Sequence, residues 1–120
     1  MMKLNRYEVE NKYALVIGLL SSLEEEVVSE EEYLATKDFD INTDEGFYVY
    51  FKYIIRPWVV VRDENKREKL IKLIDCLLED DNYLTDMVFD NLFLICDIKD
   101  DSCFLQRLKK NLMEENLCVG

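Results

Sequence analysis

Residues 42–61, with the sequence NTDEGFYVYFKYIIRPWVVV, form the most apolar and aromatic stretch of the chain. Their β-branched and aromatic side chains favour a strand by propensity alone. Helical spacing separates the side chains better, because it gathers the large apolar ones on a single face. That face holds Phe47, Tyr50, Phe51, Ile54, Trp58 and Val61, and the opposite face holds Glu45, Val49, Lys52 and Arg56. We therefore expect a long central helix, with strands over residues 47–61 as the alternative.

The start and the middle of this helix carry further signals. Asn42 and Glu45 have the spacing of a capping box, in which the Asn42 side chain would accept a hydrogen bond from the first turn. Pro57 opposes a regular helix, because it lacks an N–H group and its ring clashes with the carbonyl group of residue 53. We expect the helix to kink or break at Pro57.

The remaining apolar residues also recur at helical spacing. The pattern predicts helices over about residues 7–28 (which could restart at Ser21 or Ser22), 64–79, 83–96 and 103–116, and a short helix opened by the Ser29–Glu32 capping box. Asp63 is the predicted N-cap of the helix over residues 64–79. The sequence thus predicts an all-α fold, in which residues 1–120 form a single-domain antiparallel helical bundle. A HEAT-like stack is a second arrangement, and an α+β fold with residues 47–61 as strands is the alternative.

Composition indicates a protein of the reducing cytoplasm. The four cysteines form no C-x-x-C pair, and 120 residues can bury an adequate core without disulfides, so we expect mostly buried thiols. The apolar run YALVIGLL at residues 13–20 follows Glu8 and Glu10, where a signal peptide is basic. No run reaches the roughly 18 apolar residues of a membrane span.

Charge narrows the function classes. The formal net charge is −11 and histidine is absent. Binding to nucleic acid or to an anionic membrane depends on clustered Lys and Arg, so neither is expected. A basic partner is favoured instead. Without histidine the chain lacks the commonest general base and the commonest transition-metal ligand, so we predict neither an enzyme nor a cofactor.

Most of the negative charge lies in residues 24–45, here called the acidic belt. It contains ten carboxylates and a single basic residue, Lys37. Like charges at this density repel one another, which makes a binding role or a solvated surface the two main interpretations. The candidate partner-binding residues of the belt are Glu30, Glu31, Asp38, Asp40, Asp44 and Glu45.

Part of the belt resembles a calcium-binding loop. Asp38, Asp40, Asn42 and Asp44 alternate like the first four ligands of an EF-hand. The sixth position, however, is Thr43 in place of glycine, and the twelfth is Val49 in place of the bidentate glutamate. Calcium affinity should therefore be poor, and we predict no metal site.

Other candidate contacts lie in predicted turns and on the central helix. Acidic residues cluster at Asp80, Asp81, Asp97, Asp100 and Asp101. In an antiparallel bundle alternate turns fall at opposite ends, so the first two need not meet the last three. Tyr48 and Tyr53 lie partly off the apolar face of the helix and are candidate interface anchors.

A small, acidic, helical chain without a catalytic set resembles the immunity proteins of bacterial contact-dependent growth inhibition and other polymorphic toxin systems. The resemblance covers the whole chain and concerns composition, acidic turns and helical rhythm, with no diagnostic motif. It implies a cytoplasmic, monomeric or weakly dimeric bacterial protein that binds a cognate basic toxin domain and occludes its active site. Many such toxins are nucleases with basic clefts, so belt carboxylates would take the place of substrate phosphates.

Two other functions fit parts of the pattern. A phage-type inhibitor that mimics nucleic acid would use the same acidic surface, with carboxylates in rows at phosphate-like spacing. A carboxylate- or metal-dependent enzyme would need acidic side chains facing into a cleft. The acidic residues here fall mainly at predicted helix ends and turns, so the enzyme is the weaker alternative.

Overall fold

The computed structural model describes residues 5–80, 83–90 and 92–114. In chain order the elements are α1 (Arg6–Lys12), α2 (Ala14–Ser21), α3 (Glu30–Thr36), α4 (Asp44–Tyr50), a π-helical turn (Phe51–Ile55), α5 (Arg56–Val60), α6 (Glu64–Glu79), α7 (Tyr83–Phe89) and α8 (Asp101–Glu114). The one strand-like pairing within these ranges is an isolated antiparallel bridge between Glu24 and Leu94. The predicted all-α class is confirmed, and the α+β alternative is wrong.

The central helix is confirmed, but its cap is not the predicted one. Helix α4, the π-helical turn and α5 follow one another without an intervening residue over positions 44–60. Thr43 is the N-cap, and its hydroxyl oxygen accepts a hydrogen bond from the Gly46 N–H at 3.0 Å. The capping box predicted at Asn42 is therefore wrong, because the Asn42 side chain bonds to residues 97–99 instead.

Pro57 is accommodated by the π-helical turn that directly precedes it. The Arg56 N–H bonds to the Phe51 carbonyl group, five residues back, where an α-helix would bond four residues back. The wider turn relieves the clash between a proline ring and the carbonyl group four residues earlier. The helix continues through Pro57 as α5, so it does not break there, and the alternative of a kink stays a prediction.

The π-helical turn also changes which side chains face the core. Phe47, Tyr50, Phe51 and Ile54 are buried, as the helical spacing predicts. After the turn the buried residues are Ile55 and Val59, whereas Trp58 is half-buried and Val61 is 75% exposed. The extra residue in the turn shifts the inward positions by one. The prediction that Val61 belongs to the apolar face is therefore wrong.

The N-terminal helix is shorter and more divided than predicted. Tyr13 separates α1 from α2, and α2 ends at Ser21 without a restart at Ser21 or Ser22. After α2, residues 23–25 pair with residues 93–95. The Glu25 N–H donates to the Phe93 carbonyl group, and the Ile95 N–H donates to the Leu23 carbonyl group, both at 2.9 Å. The predicted capping box at Ser29 and Glu32 is confirmed by both of its hydrogen bonds.

The second half follows the prediction except around residues 90–96 and at the start of α8, which begins at Asp101 and not at Cys103. The predicted end of this helix at residue 116 lies outside the described residues. Helix α6 has the predicted bounds and its predicted N-cap, Asp63. Helix α7 ends at Phe89 and not at Cys96, because residues 93–95 pair with residues 23–25. Cys76 and Cys103 are exposed, so the prediction of mostly buried thiols is wrong for these two. Cys96 is half-buried against the core, and Cys118 lies outside the described residues.

The helices pack around one core. The Phe104 ring of α8 meets the Phe47 ring of α4 at 5.3 Å and the Phe89 ring of α7 at 5.9 Å between centroids, both edge to face. Helix α3 packs against α4 and the π-helical turn, which places the acidic belt beside the central helix. The radius of gyration is 13.8 Å, as expected for a compact chain of this length. Among the described residues, no helix has the length and apolar character needed to cross a membrane.

Candidate protein-binding surface

Several belt carboxylates have no partner inside the described part of the chain. Glu30, Glu31, Asp38 and Glu45 are exposed, and no hydrogen bond or ion pair holds their carboxylates there. Glu30 and Glu31 belong to the first turn of α3, and Glu45 belongs to that of α4. A carboxylate in a first turn is favoured by the helix dipole, which explains these positions in part. Their charges are nevertheless directed to solvent, where an outside cation can reach them.

Asp40 and Asp44, by contrast, are engaged within the chain. The Asp40 carboxylate accepts hydrogen bonds from the backbone and side-chain nitrogens of Asn42, each at 2.9 Å. The Asp44 carboxylate accepts one from Arg107 Nε of α8 at 2.8 Å. The Asn42 hydrogen bonds lower the pKa of Asp40, and the Arg107 hydrogen bond lowers the pKa of Asp44. Both carboxylates therefore help to hold the belt in place.

Asn42 joins the belt to a second acidic segment. Its amide nitrogen donates to the Asp97 carbonyl group at 2.7 Å, and its amide oxygen accepts from the Lys99 N–H at 2.9 Å. Asp97 and Asp40 consequently border the same open cavity of about 290 Å³, which Tyr50 and Cys96 also line. The structure thus places Asp97 beside the acidic belt, whereas the sequence placed it in a separate turn.

The thiol in this cavity is unsuited to nucleophilic chemistry. Burial, together with the neighbouring Asp97 carboxylate, raises the pKa of Cys96 to about 12. The reactive form of cysteine is the thiolate, which is scarce at neutral pH when the pKa is this high. The Asp40–Asp97 cavity therefore lacks an activated cysteine.

The other acidic turn residues sit at helix starts. Asp80 accepts a hydrogen bond from the Leu84 N–H of α7 at 2.8 Å, and Asp100 accepts one from the Cys103 N–H of α8 at 3.0 Å. Asp101 is half-buried, and burial raises its pKa, with a smaller contribution from its acidic neighbours Asp86 and Asp100. Asp81 lies outside the described residues. These contacts give the turn carboxylates structural roles, and partner binding by them stays a prediction.

Exposed apolar side chains alternate with the free carboxylates. In the belt these are Val27, Tyr33, Leu34 and Phe39, and on the neighbouring central helix Tyr48 and Tyr53 are also exposed. Helix α3 and its C-cap present Glu30, Tyr33, Leu34 and Lys37 to solvent at the three- and four-residue steps of one helical face. Protein interfaces combine aromatic contacts with a polar rim in this way. The exposure of Tyr48 and Tyr53 agrees with the sequence prediction, although their role as contacts is still a prediction.

A groove runs along the start of α3. It encloses about 470 Å³ and is lined by Glu25, Val28, Ser29, Glu30, Tyr33, Leu94 and Ile95. Phe93, which precedes the lining residue Leu94 in the chain, is 75% exposed. The sequence did not indicate that residues 93–95 border a groove, because their apolar spacing continues the helical pattern of α7. The long-range pairing with residues 23–25 leaves no local signal.

The described residues contain no group of three or more Cys, Asp or Glu side chains placed to hold a metal ion. In the loop that resembles an EF-hand, Asp40, Asn42 and Asp44 instead direct side-chain oxygens to hydrogen-bond donors of the chain itself. Comparison with protein-family models, with curated proteins and with solved structures finds no match to this chain.

Proposed function

We propose that this chain is an immunity protein, which binds a cognate toxin domain with a basic active-site cleft and blocks it. The observation that carries the proposal is the set of exposed carboxylates without an internal partner in the described chain, Glu30, Glu31, Asp38 and Glu45, mixed with exposed aromatic and aliphatic side chains. Exposed like charges at this density lower folding stability through repulsion. An external cationic surface gives them a use.

Inhibition would combine electrostatic steering with steric occlusion. The field of the belt would attract a basic cleft and raise the association rate, an effect that declines as salt screens the charges. After docking, Tyr33, Leu34 and Tyr48 would supply the apolar contacts that slow dissociation. The toxin active site would then be covered without any chemistry by the inhibitor. The proposed location is the bacterial cytoplasm, and the proposed form is a monomer or weak dimer.

A growth assay tests this function directly. The gene adjacent to the one encoding this chain is expressed from an inducible promoter, with and without this chain. We expect the neighbour to stop growth and this chain to restore it. A neighbour without effect on growth, or a toxic neighbour that this chain does not neutralise, would overturn the proposal.

Charge reversal tests the role of the belt. The triple variant E30K/E31K/D38K should associate with the purified neighbour at least tenfold more slowly at about 50 mM salt, where steering is strong. A matched triple variant, E10K/E79K/E114K, changes the net charge by the same amount on exposed residues of α1, α6 and α8. It should slow association less than threefold. Equal effects of the two variants would remove the belt from the mechanism.

The interleaved apolar residues favour a protein partner over nucleic-acid mimicry. A mimic would present carboxylates in rows. The exposed face of α3 and its C-cap instead places Tyr33, Leu34 and the basic Lys37 beside Glu30. The same purified protein can be assayed against a restriction or CRISPR nuclease. Inhibition of such a nuclease without any effect on the toxin would replace the immunity function with the mimic.

A further inference from the structure

The groove at the start of α3 has both apolar and acidic walls. Val28, Leu94 and Ile95 are half-buried and pack against the core, so their outer surfaces form a fixed apolar wall. Glu25 and Glu30 are exposed on the same lining, and no hydrogen bond or ion pair engages either carboxylate within the described chain. The ring of Tyr33 is 48% exposed beside them. An occupant that matches both walls carries a cation on an apolar stem.

The groove is also held in shape before any partner arrives. On one side the Glu25 N–H donates to the Phe93 carbonyl group, and the Ile95 N–H donates to the Leu23 carbonyl group. On the other side Ser29 caps α3 through a reciprocal pair of hydrogen bonds with Glu32. Because backbone hydrogen bonds fix one side and capping hydrogen bonds fix the other, a ligand would bind without first ordering the site.

From this geometry we propose that the groove binds an arginine side chain of the partner, next to an apolar residue in the partner sequence. The methylene stem of the arginine lies along Val28, Leu94 and Ile95, and its guanidinium group reaches Glu25 and Glu30. The adjacent apolar side chain packs against the exposed Phe93. This inference rests on the proposed function only in taking the partner to be a basic protein.

Arginine fits the lining better than lysine. Its planar guanidinium group has five donors, so it can bond to two carboxylates at once and also stack on an aromatic face such as Tyr33. A lysine ammonium group is a compact and strongly hydrated charge, which gains less from an aromatic wall. The groove should therefore discriminate between the two cations, which a general negative field would not do.

Short peptides provide the test, with the full chain labelled with ¹⁵N and followed by NMR. The probe is Ac-Leu-Arg-Leu-NH₂. Its controls are the lysine peptide and the peptide with citrulline, a neutral isostere of arginine. We expect saturable shifts at the backbone amides of Val28, Tyr33, Leu94 and Ile95. Half-saturation should require about threefold more of the lysine peptide and at least tenfold more of the citrulline peptide.

Two double variants locate the binding. E25Q/E30Q removes the two carboxylates of the groove and should raise the half-saturating concentration of the arginine peptide at least fivefold. E10Q/E79Q removes the same charge from exposed residues outside both the lining and the acidic belt and should change it less than twofold. Equal effects of the two variants, equal binding of the arginine and citrulline peptides, or shifts confined to other residues would each overturn the proposal.

The peptide test and the growth assay fail independently. If the arginine peptide binds but the chain does not neutralise the neighbouring gene product, arginine binding by the groove is supported and the toxin-inhibitor function is contradicted. If E25Q/E30Q neutralises the neighbouring gene product as well as the unaltered chain does, the toxin-inhibitor function is supported and the role of the groove is contradicted. The thermal midpoints of both double variants, from circular dichroism, should match that of the unaltered chain to within a few degrees.

Discussion

The acidic belt at residues 24–45 and the basic segment at residues 52–72 use their charges in opposite ways. The basic segment contains seven Lys and Arg residues against three acidic ones. Arg62 stacks on the Trp58 ring at 3.4 Å from its centroid and donates to the Trp58 carbonyl group at 2.7 Å. Arg67 donates to the carbonyl groups of Arg62 and Val60. These arginines stabilise the end of α5 from within the chain.

The belt lacks comparable internal engagement over much of its length. In its first part, residues 25–38, the Glu32 carboxylate accepts the capping hydrogen bond from the Ser29 N–H. The other carboxylates of this part are exposed, and they are those of Glu25, Glu26, Glu30, Glu31 and Asp38. Its last part, residues 40–45, is fixed by the Asp40–Asn42 and Asp44–Arg107 contacts. The comparison therefore separates charges that maintain the fold from charges that are available to a partner. The exposed carboxylates of residues 25–38 are therefore the candidates for partner binding.

The largest expected effect concerns Gly46, which directly follows the fixed end of the belt and packs against Asp40. A Cβ added at Gly46 would lie 1.8 Å from the Asp40 carbonyl oxygen, which is a backbone atom and cannot rotate away. Gly46→Ala should therefore lower the free energy of unfolding by about 3 kcal/mol or more, at the upper end of overpacking costs. Chemical denaturation followed by circular dichroism measures this change.

Gly18→Ala is the matched control for Gly46→Ala. Its added Cβ would lie 3.1 Å from Cζ2 of Trp58, a side chain that can shift slightly. The helix propensity of alanine contributes up to about 1 kcal/mol in the opposite direction, so the net change should stay within about 1 kcal/mol. Equal losses in the two variants would show that the close approach at Asp40 does not constrain the belt.

The next effect tests whether the cations of the basic segment stabilise the fold. Arg62→Ala removes the stacking on Trp58 and the hydrogen bond to its carbonyl group, and should cost about 1–2 kcal/mol of unfolding free energy. Lys69→Ala is the control, because Lys69 is exposed, and should change stability by less than about 0.5 kcal/mol. If both substitutions are neutral, the contrast between the two segments disappears.

A smaller effect concerns Asp101, a carboxylate that the fold disfavours. Its pKa is raised in the folded state, mainly by burial, so ionisation costs stability above that pKa. Asp101→Asn should therefore raise Tm slightly at pH 7. The gain should fade as pH drops through the raised pKa towards the ordinary aspartate value, and thermal melts between pH 7 and about pH 3.5 follow it.

Asp75→Asn is the control of opposite sign for Asp101→Asn. The Asp75 carboxylate forms an ion pair with Lys109 of α8, which bridges α6 and α8. Removing its charge should lower Tm slightly at pH 7. A Tm that falls in Asp101→Asn as well would indicate that the favourable helix dipole at the start of α8 outweighs burial.

The sequence predicted several elements that depend on local signals, and it failed where distant contacts or an irregular helical turn determine the structure. Asp63 begins α6 and the Ser29 box begins α3 as predicted, because caps are made by residues three positions apart. The shift of the buried face from Trp58 to Val59 follows from a π-helical turn, for which the spacing of apolar residues gave no sign.

The candidate site was predicted in composition but not in shape. Local charge density identified the belt, and helical spacing identified Tyr48 and Tyr53 as exposed. The separation of the belt into a free part and a fixed part depends on Asn42 and Arg107, whose partners are 55 and 63 residues away in the chain. The groove depends in the same way on the pairing of residues 23–25 with residues 93–95. Contacts at this separation leave no pattern in a single sequence.

The smallest expected effect is the sharpest test of the comparison. The triple variant E30Q/E31Q/D38N removes three free carboxylates, two of them in the first turn of α3. The loss of a favourable helix dipole interaction and the relief of repulsion oppose each other, so stability at pH 7 should change by less than about 1 kcal/mol.

The double variant D40N/D44N, from the fixed part, should be destabilised at pH 7. Because the pKa values of Asp40 and Asp44 are lowered in the folded state, their contribution is present above the ordinary aspartate pKa and is lost as pH falls through the lowered values. A triple variant that loses more stability than the double variant would mean that the exposed carboxylates maintain the fold, and a separate binding role would no longer be needed to explain them.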